Sequence, residues 1–314
     1  MYYGILSGIL WALDTTIMGF ALALMILQGA QGIAPAIVVV FLGPLLHDLL
    51  SALFVTGINA SRGRAKETYS ALKTKGGKIV ALGALLGGPI GMTGYVISIN
   101  HIGSAYTAVL TAFYPAFGAI VAYFLLRDRL KFFQVIGLCL AIIGITGISY
   151  LTTSPENVSG TPWIGLFGAA VTIIGWGGEA VIYSYSKKAS DIPTDIALEI
   201  RQSISAVTYL LITIPLAVYS GFTINHLNFF SLWLFALAAI VGSLSYYCYY
   251  SAIERIGPTR AMALNISYSA WAIVFTAIIT LTFPSILAII CCLAIIFGST
   301  LAAHFRNNKS NTPA

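Results

Sequence analysis

Charge is what this chain has least of. Only 8% of its 314 residues are Asp, Glu, Lys or Arg, where soluble domains carry about 25%. With 58% hydrophobic residues and a mean hydropathy of +0.90, a soluble globular protein is excluded. Cysteine is scarce too: Cys139, Cys248, Cys291 and Cys292 all fall within apolar runs. Cys291 and Cys292 are neighbours on a helix and point apart, so they form neither a disulfide nor a metal pair. No soluble domain, metal cluster, nucleotide-binding loop or nucleophile–base pair is legible, which argues against an enzyme and against any cofactor or metal. The net charge of +6 is no nucleic-acid signature, because the basic residues follow the loops between apolar runs.

Those runs are about twenty residues or longer, the length that crosses roughly 30 Å of hydrocarbon. Ten spans are expected, at about 3–27, 33–57, 79–99, 104–126, 132–151, 162–185, 195–219, 229–252, 259–281 and 284–304. The first run lacks a basic leader and contains Trp11 and Asp14, so it reads as a retained helix, not a cleaved signal. With the N-terminus placed in the cytoplasm, every Lys and Arg except Arg201 falls on that side: in the 2–3 loop (Arg62 to Lys78), the 4–5 loop (Arg127 to Lys131), the pair Lys187 and Lys188, the turn holding Arg255 and Arg260, and the tail with Arg306 and Lys309. The positive-inside rule then puts both termini in the cytoplasm. Asn157-Val-Ser159 and Asn265-Ile-Ser267 match a glycosylation sequon, the second inside a span, so the motif decides nothing.

The chain repeats itself. Trp11 and Asp14 in SGILWALDTT have the spacing of Trp176 and Glu179 in IIGWGGEAV, and SINHIGSAYTAVLTAFYPAF (98–117) aligns with AIERIGPTRAMALNISYSAW (252–271). That alignment sets Gly103 on Gly257, Tyr114 on Tyr268 and Phe117 on Trp271. Each copy holds five spans, an odd number, so the second must lie inverted in the membrane. The expected architecture is therefore an all-α integral membrane protein of ten transmembrane helices in two inverted five-helix repeats. The first repeat covers 1–151, a linker 152–161, the second repeat 162–305 and a cytoplasmic tail 306–314. Inverted repeats characterise secondary transporters, which bind substrate near the midplane between the halves. Gly43-Pro44, Gly88-Pro89 and Tyr114-Pro115 interrupt spans, and GGPIGMTG (87–94) reads as a helix that must also flex.

Ionisable side chains inside a bilayer cost at least ~2.5 kcal/mol each and mark function by default. The set within spans is Asp14, His47, Asp48, Glu179, Glu199 and Arg201. Glu199 and Arg201 stand near a span end, where snorkelling to the surface is the plain reading. His47 and Asp48 diverge by 100° on a helix and are not expected to share a site. Glu179 and Asp14 lie deepest, each with an indole one turn away. Tyr246, Tyr249 and Tyr250 share a face of span eight, and Tyr268 and Trp271 sit one turn apart in span nine; Trp163 and Trp233 read as interfacial anchors.

Ring faces with a carboxylate suit a desolvated organic cation, each good face contributing about 2 kcal/mol or more. A site for amino acids or sugars needs paired cations or amides, which only Arg201, Gln202 and Asn265 could supply. The substrate contacts expected are Trp11, Trp176, Glu179, Tyr246, Trp271, Tyr268 and Asn265. Glu179, Asp48 and Asp14 are the candidates for carrying a coupled proton, and Arg201 and Pro89 for gating or interface roles.

Across its whole length the chain resembles the drug/metabolite transporter superfamily, in its EamA-like branch. GILSGILWALD, HDLLSALF, GGPIGM, GWGGEAV, IRQSIS, SYYCYY and LNISYSAW resemble more closely the Lic-type choline importers of bacteria. That resemblance implies a multi-pass protein of the bacterial plasma membrane whose partners are choline or a related quaternary ammonium, a coupling proton and the lipid bilayer. It implies an aromatic box on Trp11, Trp176, Tyr246 and Trp271, with Glu179 the nearby acid and Asp48 the proton candidate. Asp14 departs from the family, which often carries a small uncharged residue there. An exporter of amino acids or aromatic metabolites is the rival expectation; a membrane sensor or enzyme without transport is another.

Overall fold

A computed structural model describes residues 1–29, 33–152, 161–221 and 229–304. Residues 153–160 of the expected linker, with the sequon at Asn157, and the tail with Arg306 and Lys309 lie outside the described residues. The secondary structure described is helical: α1 (Tyr2–Gly29), α2 (Ile33–Ser61), α3 (Glu67–Lys73), α4 (Lys75–Leu85), a π-turn (Leu86–Ile90), α5 (Gly91–Thr111), α6 (Tyr114–Leu126), α7 (Phe132–Thr152), α8 (Pro162–Ala189), α9 (Thr194–Ser220), α10 (Phe229–Ile256), α11 (Pro258–Asn265), α12 (Tyr268–Thr280) and α13 (Ile286–His304). Among these residues ten helical segments are long and apolar enough to cross a membrane.

The third span starts at Lys75, four residues earlier than hydropathy places it. Thr74 caps it, its hydroxyl accepting from the Gly77 amide at 3.0 Å. The short surface helix α3, which hydropathy does not signal, precedes that cap. At GGPI the third span widens into the π-turn, with Gly87, Gly88 and Pro89 buried. Proline has no N–H to donate to the turn behind it, and a π-turn is a usual way to absorb such a gap.

Breaks recur at matching places in the two halves. Gly103, inside α5, has φ 82° and ψ 161°, and Gly257, before α11, has φ 84° and ψ 159°. This region is open to glycine alone. Two residues separate α5 from α6, and two separate α11 from α12. Both α6 and α12 then end on a left-handed residue, Arg127 at φ 58° and Leu281 at φ 53°.

The helix packing has the same regularity. α1 lies against α10 and α12, while α8 lies against α5 and α6; α2 packs on α9, and α7 on α13. Small residues allow the close approaches that stand in for a hydrophobic driving force between helices in lipid. A Cβ on Gly137 would fall 2.5 Å from Gly298 O, and one on Gly298 would fall 2.6 Å from Gly137 O. Trp163 and Trp233 are exposed near span ends, where anchors belong.

Candidate functional site

A cavity of about 30 Å³ lies where α1, α6, α8, α10, α11 and α12 converge. Its walls are Trp11, Tyr114, Trp176, Tyr246, Tyr249 and Tyr268, with Glu179, Ser245 and Asn265 as polar groups. Trp11 and Tyr114 meet their neighbours edge to face, an arrangement ring quadrupoles favour, while Tyr95 is tilted at 35° to Trp176. Trp11 meets Tyr246 at 5.4 Å and Tyr268 at 6.5 Å. In the other half Trp176 meets Tyr114 at 5.9 Å and Tyr95 at 5.3 Å. Tyr114 and Tyr268 are thus each the partner of one tryptophan, as their alignment in the sequence allows.

Six expected contacts, Trp11, Trp176, Glu179, Tyr246, Tyr268 and Asn265, line this one space. Trp271 does not: it is half-buried on α12 one turn beyond Tyr268, and Tyr268 occupies the wall. Sequence reasoning left Tyr114, Tyr249 and Ser245 out of the site, although pairing Tyr114 with Tyr268 in the repeat would have found the first. Asn265 is held from both sides. Ser7 Oγ donates to its Oδ1 at 3.1 Å, and its Nδ2 donates to Tyr114 Oη at 3.2 Å.

Glu179 forms the charged wall and is 3% exposed. Its Oε1 accepts from Tyr250 Oη at 2.9 Å and from Arg201 Nε at 3.3 Å. Oε2 lies against Gly87, where any side chain would collide with it. Arg201 therefore answers why a carboxylate stands in an apolar helix. Its distance of 22 residues along the chain hides a contact between α8 and α9.

Arg201 and Glu199 do not snorkel; both are buried. Arg201 Nη1 donates to Gln202 Oε1 at 2.6 Å and reaches Asp48 Oδ1 at 3.5 Å. Nη2 donates to Tyr246 Oη at 2.7 Å, and the guanidinium carbon stands 4.1 Å from the centre of that ring. Ser205 Oγ donates to Asp48 Oδ2 at 2.5 Å. Glu199 accepts from Thr56 at 3.1 Å and from Asn59 and Thr68 at 2.7 Å each, nearer the basic end of the molecule.

His47 and Asp48 do share a site, against the helical-angle expectation. His47 Nδ1 is 3.0 Å from Asp48 Oδ1, and His47 Nε2 is 3.2 Å from Asp14 Oδ1. The side chains fold toward each other because α2 is enclosed between α9 and α10. Asp14 sits behind the Trp11 wall and does not line the cavity. Pro89 lies in the π-turn beside Gly87 and Gly88, whose backbone packs on Glu179 and on Ser205 of α9.

The family model described as EamA-like transporter family matches residues 1–150. Protein LicB of Haemophilus influenzae is 33% identical over 86% of this chain and 86% of its own. An uncharacterized transporter of Clostridium kluyveri is 25% identical over 74% of this chain and 73% of its own. A solved crystal structure, 18% identical, superposes with a TM-score of 0.71 over 96% of both chains and shares the fold.

Proposed function

The chain belongs to the EamA-like transporter family, a multi-pass protein of the bacterial plasma membrane, and from that premise we propose that it imports choline or a related quaternary ammonium. The observation that carries this reading is Glu179, the charged residue in the wall of a cavity lined mainly by tryptophan and tyrosine. A quaternary ammonium donates no hydrogen bond, so ring faces and one counter-charge are the means of holding it dry. The sequence resemblance to Lic-type choline importers favours the same substrate.

The cavity has room for little more than water, so the rings must part to admit the cation. Arg201 already holds the Glu179 carboxylate and one face of Tyr246. A substrate cation competes with this tethered one, which keeps binding reversible. Asn265 retains one N–H for a polar tail such as a hydroxyl. A carboxylate tail meets Glu179 and is disfavoured.

The cycle is alternating access between two inverted repeats, 1–151 and 162–305, with both termini cytoplasmic. The paired glycine breaks and the placement of basic residues support this division and orientation. The membrane potential drives a cation inward by about 2.3 kcal/mol per 100 mV, and the buried acids offer a place for a coupled proton.

Calorimetry on detergent-purified protein tests the substrate. Choline should give saturable heat, tetramethylammonium weaker heat and tryptophan none. Glu179→Gln should weaken choline at least about tenfold while the protein stays monodisperse, and Trp176→Ala about thirtyfold. Heat from tryptophan alone would replace this reading with an exporter of aromatic metabolites.

A further inference from the structure

The pair Asp14–His47 repeats, in the other half of the molecule, the pair Glu179–Arg201. Asp14 and Glu179 each follow a tryptophan by three residues on the first helix of a half. His47 and Arg201 open HDLLS and RQSIS at equivalent places on the second helix. The contacts match as well: 3.2 Å from His47 Nε2 to Asp14 Oδ1, and 3.3 Å from Arg201 Nε to Glu179 Oε1. A glycine backs each pair from the opposite half. A Cβ on Gly242 of α10 would fall 2.6 Å from His47 Nε2 and 2.7 Å from Asp14 Oδ2, as one on Gly87 would collide with Glu179 Oε2.

Two differences separate the pairs. The guanidinium stays charged, whereas imidazole gains and loses a proton near neutral pH. Where the second half has Gln202, the first has Asp48, so His47 stands between two carboxylates. A neutral imidazole owns a single N–H. With both ring nitrogens facing carboxylate oxygens, one contact sets two bare acceptors together unless a second proton is present. The Asp14 contact is the weaker: its two atoms are buried, lie off the line of a hydrogen bond and have no other partner among the described residues.

The other groups around His47 are few. Asp14 faces it from α1 and Asp48 from α2 itself, while Arg201 and Ser205 of α9 act on Asp48. From α10 come Gly242 and, toward Asp14, the Tyr246 phenol. Among the described residues α5 adds no charged contact.

We propose that Asp14, His47 and Asp48 form a proton-binding site in which His47 carries one exchangeable proton, and that Arg201 transmits its presence to the cavity. This rests on the transport reading. Asp48 Oδ1 is shared between His47 and Arg201, at 3.0 and 3.5 Å. With the proton in place, the imidazolium charge of His47 offsets Asp48 as well as Asp14, and Arg201 stays on Glu179 and Tyr246. When the proton leaves, Asp48 draws Arg201 toward itself and frees Glu179 and the Tyr246 face for the substrate cation. Proton and cation therefore oppose each other within one conformation. Cation affinity rises with pH, and binding releases protons.

Choline titrations at about pH 6, 8 and 10, in buffers of differing ionisation heat, measure both effects, the range reaching upward because two carboxylates hold the His47 proton. The wild type should tighten about three- to tenfold per pH unit where His47 titrates, with measurable proton release. In His47→Gln and Asp14→Asn the affinity should become flat with pH and proton release should vanish. Full pH dependence retained in both variants would overturn the proposal. A second readout needs no ligand: ¹⁵N-histidine NMR, with the His47 signal assigned by its loss in His47→Gln. A doubly protonated ring that gives up a proton on raising pH, and does so at lower pH in Asp14→Asn, supports the site. A singly protonated ring throughout overturns it. Absence of choline and tetramethylammonium binding at every pH would count against the transport reading, while the NMR result still decides on the proton site.

Discussion

Arg201 stands between Asp48 and Glu179, at 3.5 and 3.3 Å, with the Tyr246 ring beneath its guanidinium, and is 3% exposed. Charges so placed lose their hydration and are tolerated only while paired. Arg201→Ala should therefore leave Glu179 without a counter-charge and Asp48 with His47 alone, and destabilise the protein by about 3–5 kcal/mol, read as a large fall in Tm of the detergent-solubilised protein. Arg201→Lys keeps the charge but cannot make the fork of contacts to Glu179, Tyr246 and Gln202 together, so its Tm should lie between the two. An alanine variant as stable as the wild type would show that the pairing does not hold the buried acids. At this scale the sequence was half legible. Trp11, Trp176 and Glu179 stand out because each is unusual at its depth. Arg201 and His47 are not legible, because distance from a span end and the angle between neighbours on one helix say nothing about what packs against that helix. The cation that matters to Glu179 comes from α9, and the acid that completes His47 comes from α1. Trp271 errs the other way, since its alignment with Phe117 carried no information about which residue of that turn faces inward.

Helices are the scale at which hydropathy reads well, because twenty apolar residues have no other stable use in a chain of this composition. Interruptions are harder. Hydropathy runs straight through GGPI, and neither the π-turn nor the surface helix α3 has an apolar signature of its own. The repeat was the better guide: it aligned Gly103 with Gly257, and both adopt the same glycine-only conformation, at φ 82° and 84°. Any side chain at Gly257 must enter that region, at about 1–3 kcal/mol. Space is not the obstacle, since the nearest neighbour of a Cβ there is Asp128 Oδ2 at 3.9 Å. Gly257→Ala should accordingly lower Tm through backbone strain alone, and Gly103→Ala should lower it comparably. A clear loss at one glycine and none at the other would mean that the two breaks do not bear equivalent loads.

Across the whole molecule the described lysines and arginines other than Arg201 gather toward helix ends, and acids there pair with Arg62, Arg64 and Lys187. Arg64 bonds Asp195 and Glu67 across α2, α3 and α9, holding the exposed Glu67 carboxyl below its usual range by hydrogen bonding. Lys187 meets Glu254 at 2.8 Å, and Glu254 also accepts from Thr194 at 2.7 Å and Tyr183 at 2.9 Å. The first contact ties the connection between α2 and α3 to α9 of the other half, and the second ties α8 to α10 within one half. In the proposed alternating-access cycle, opening the cavity toward that end breaks the contact between the halves, so the side on which it lies decides which gate is shut. In the orientation proposed above, which follows the placement of lysine and arginine, this end faces the cytoplasm, and a cation entering from the other side moves down the membrane potential. Lys73 is exposed on α3 at this end, far from the cavity walls. With the exposed Cys139 replaced by alanine, Lys73→Cys in right-side-out vesicles should resist a membrane-impermeant maleimide and react only after permeabilisation. Labelling of intact vesicles would turn the molecule over. The shut gate would then face outward, and a cation entering through the opposite mouth would come from the cytoplasm and move out against the potential.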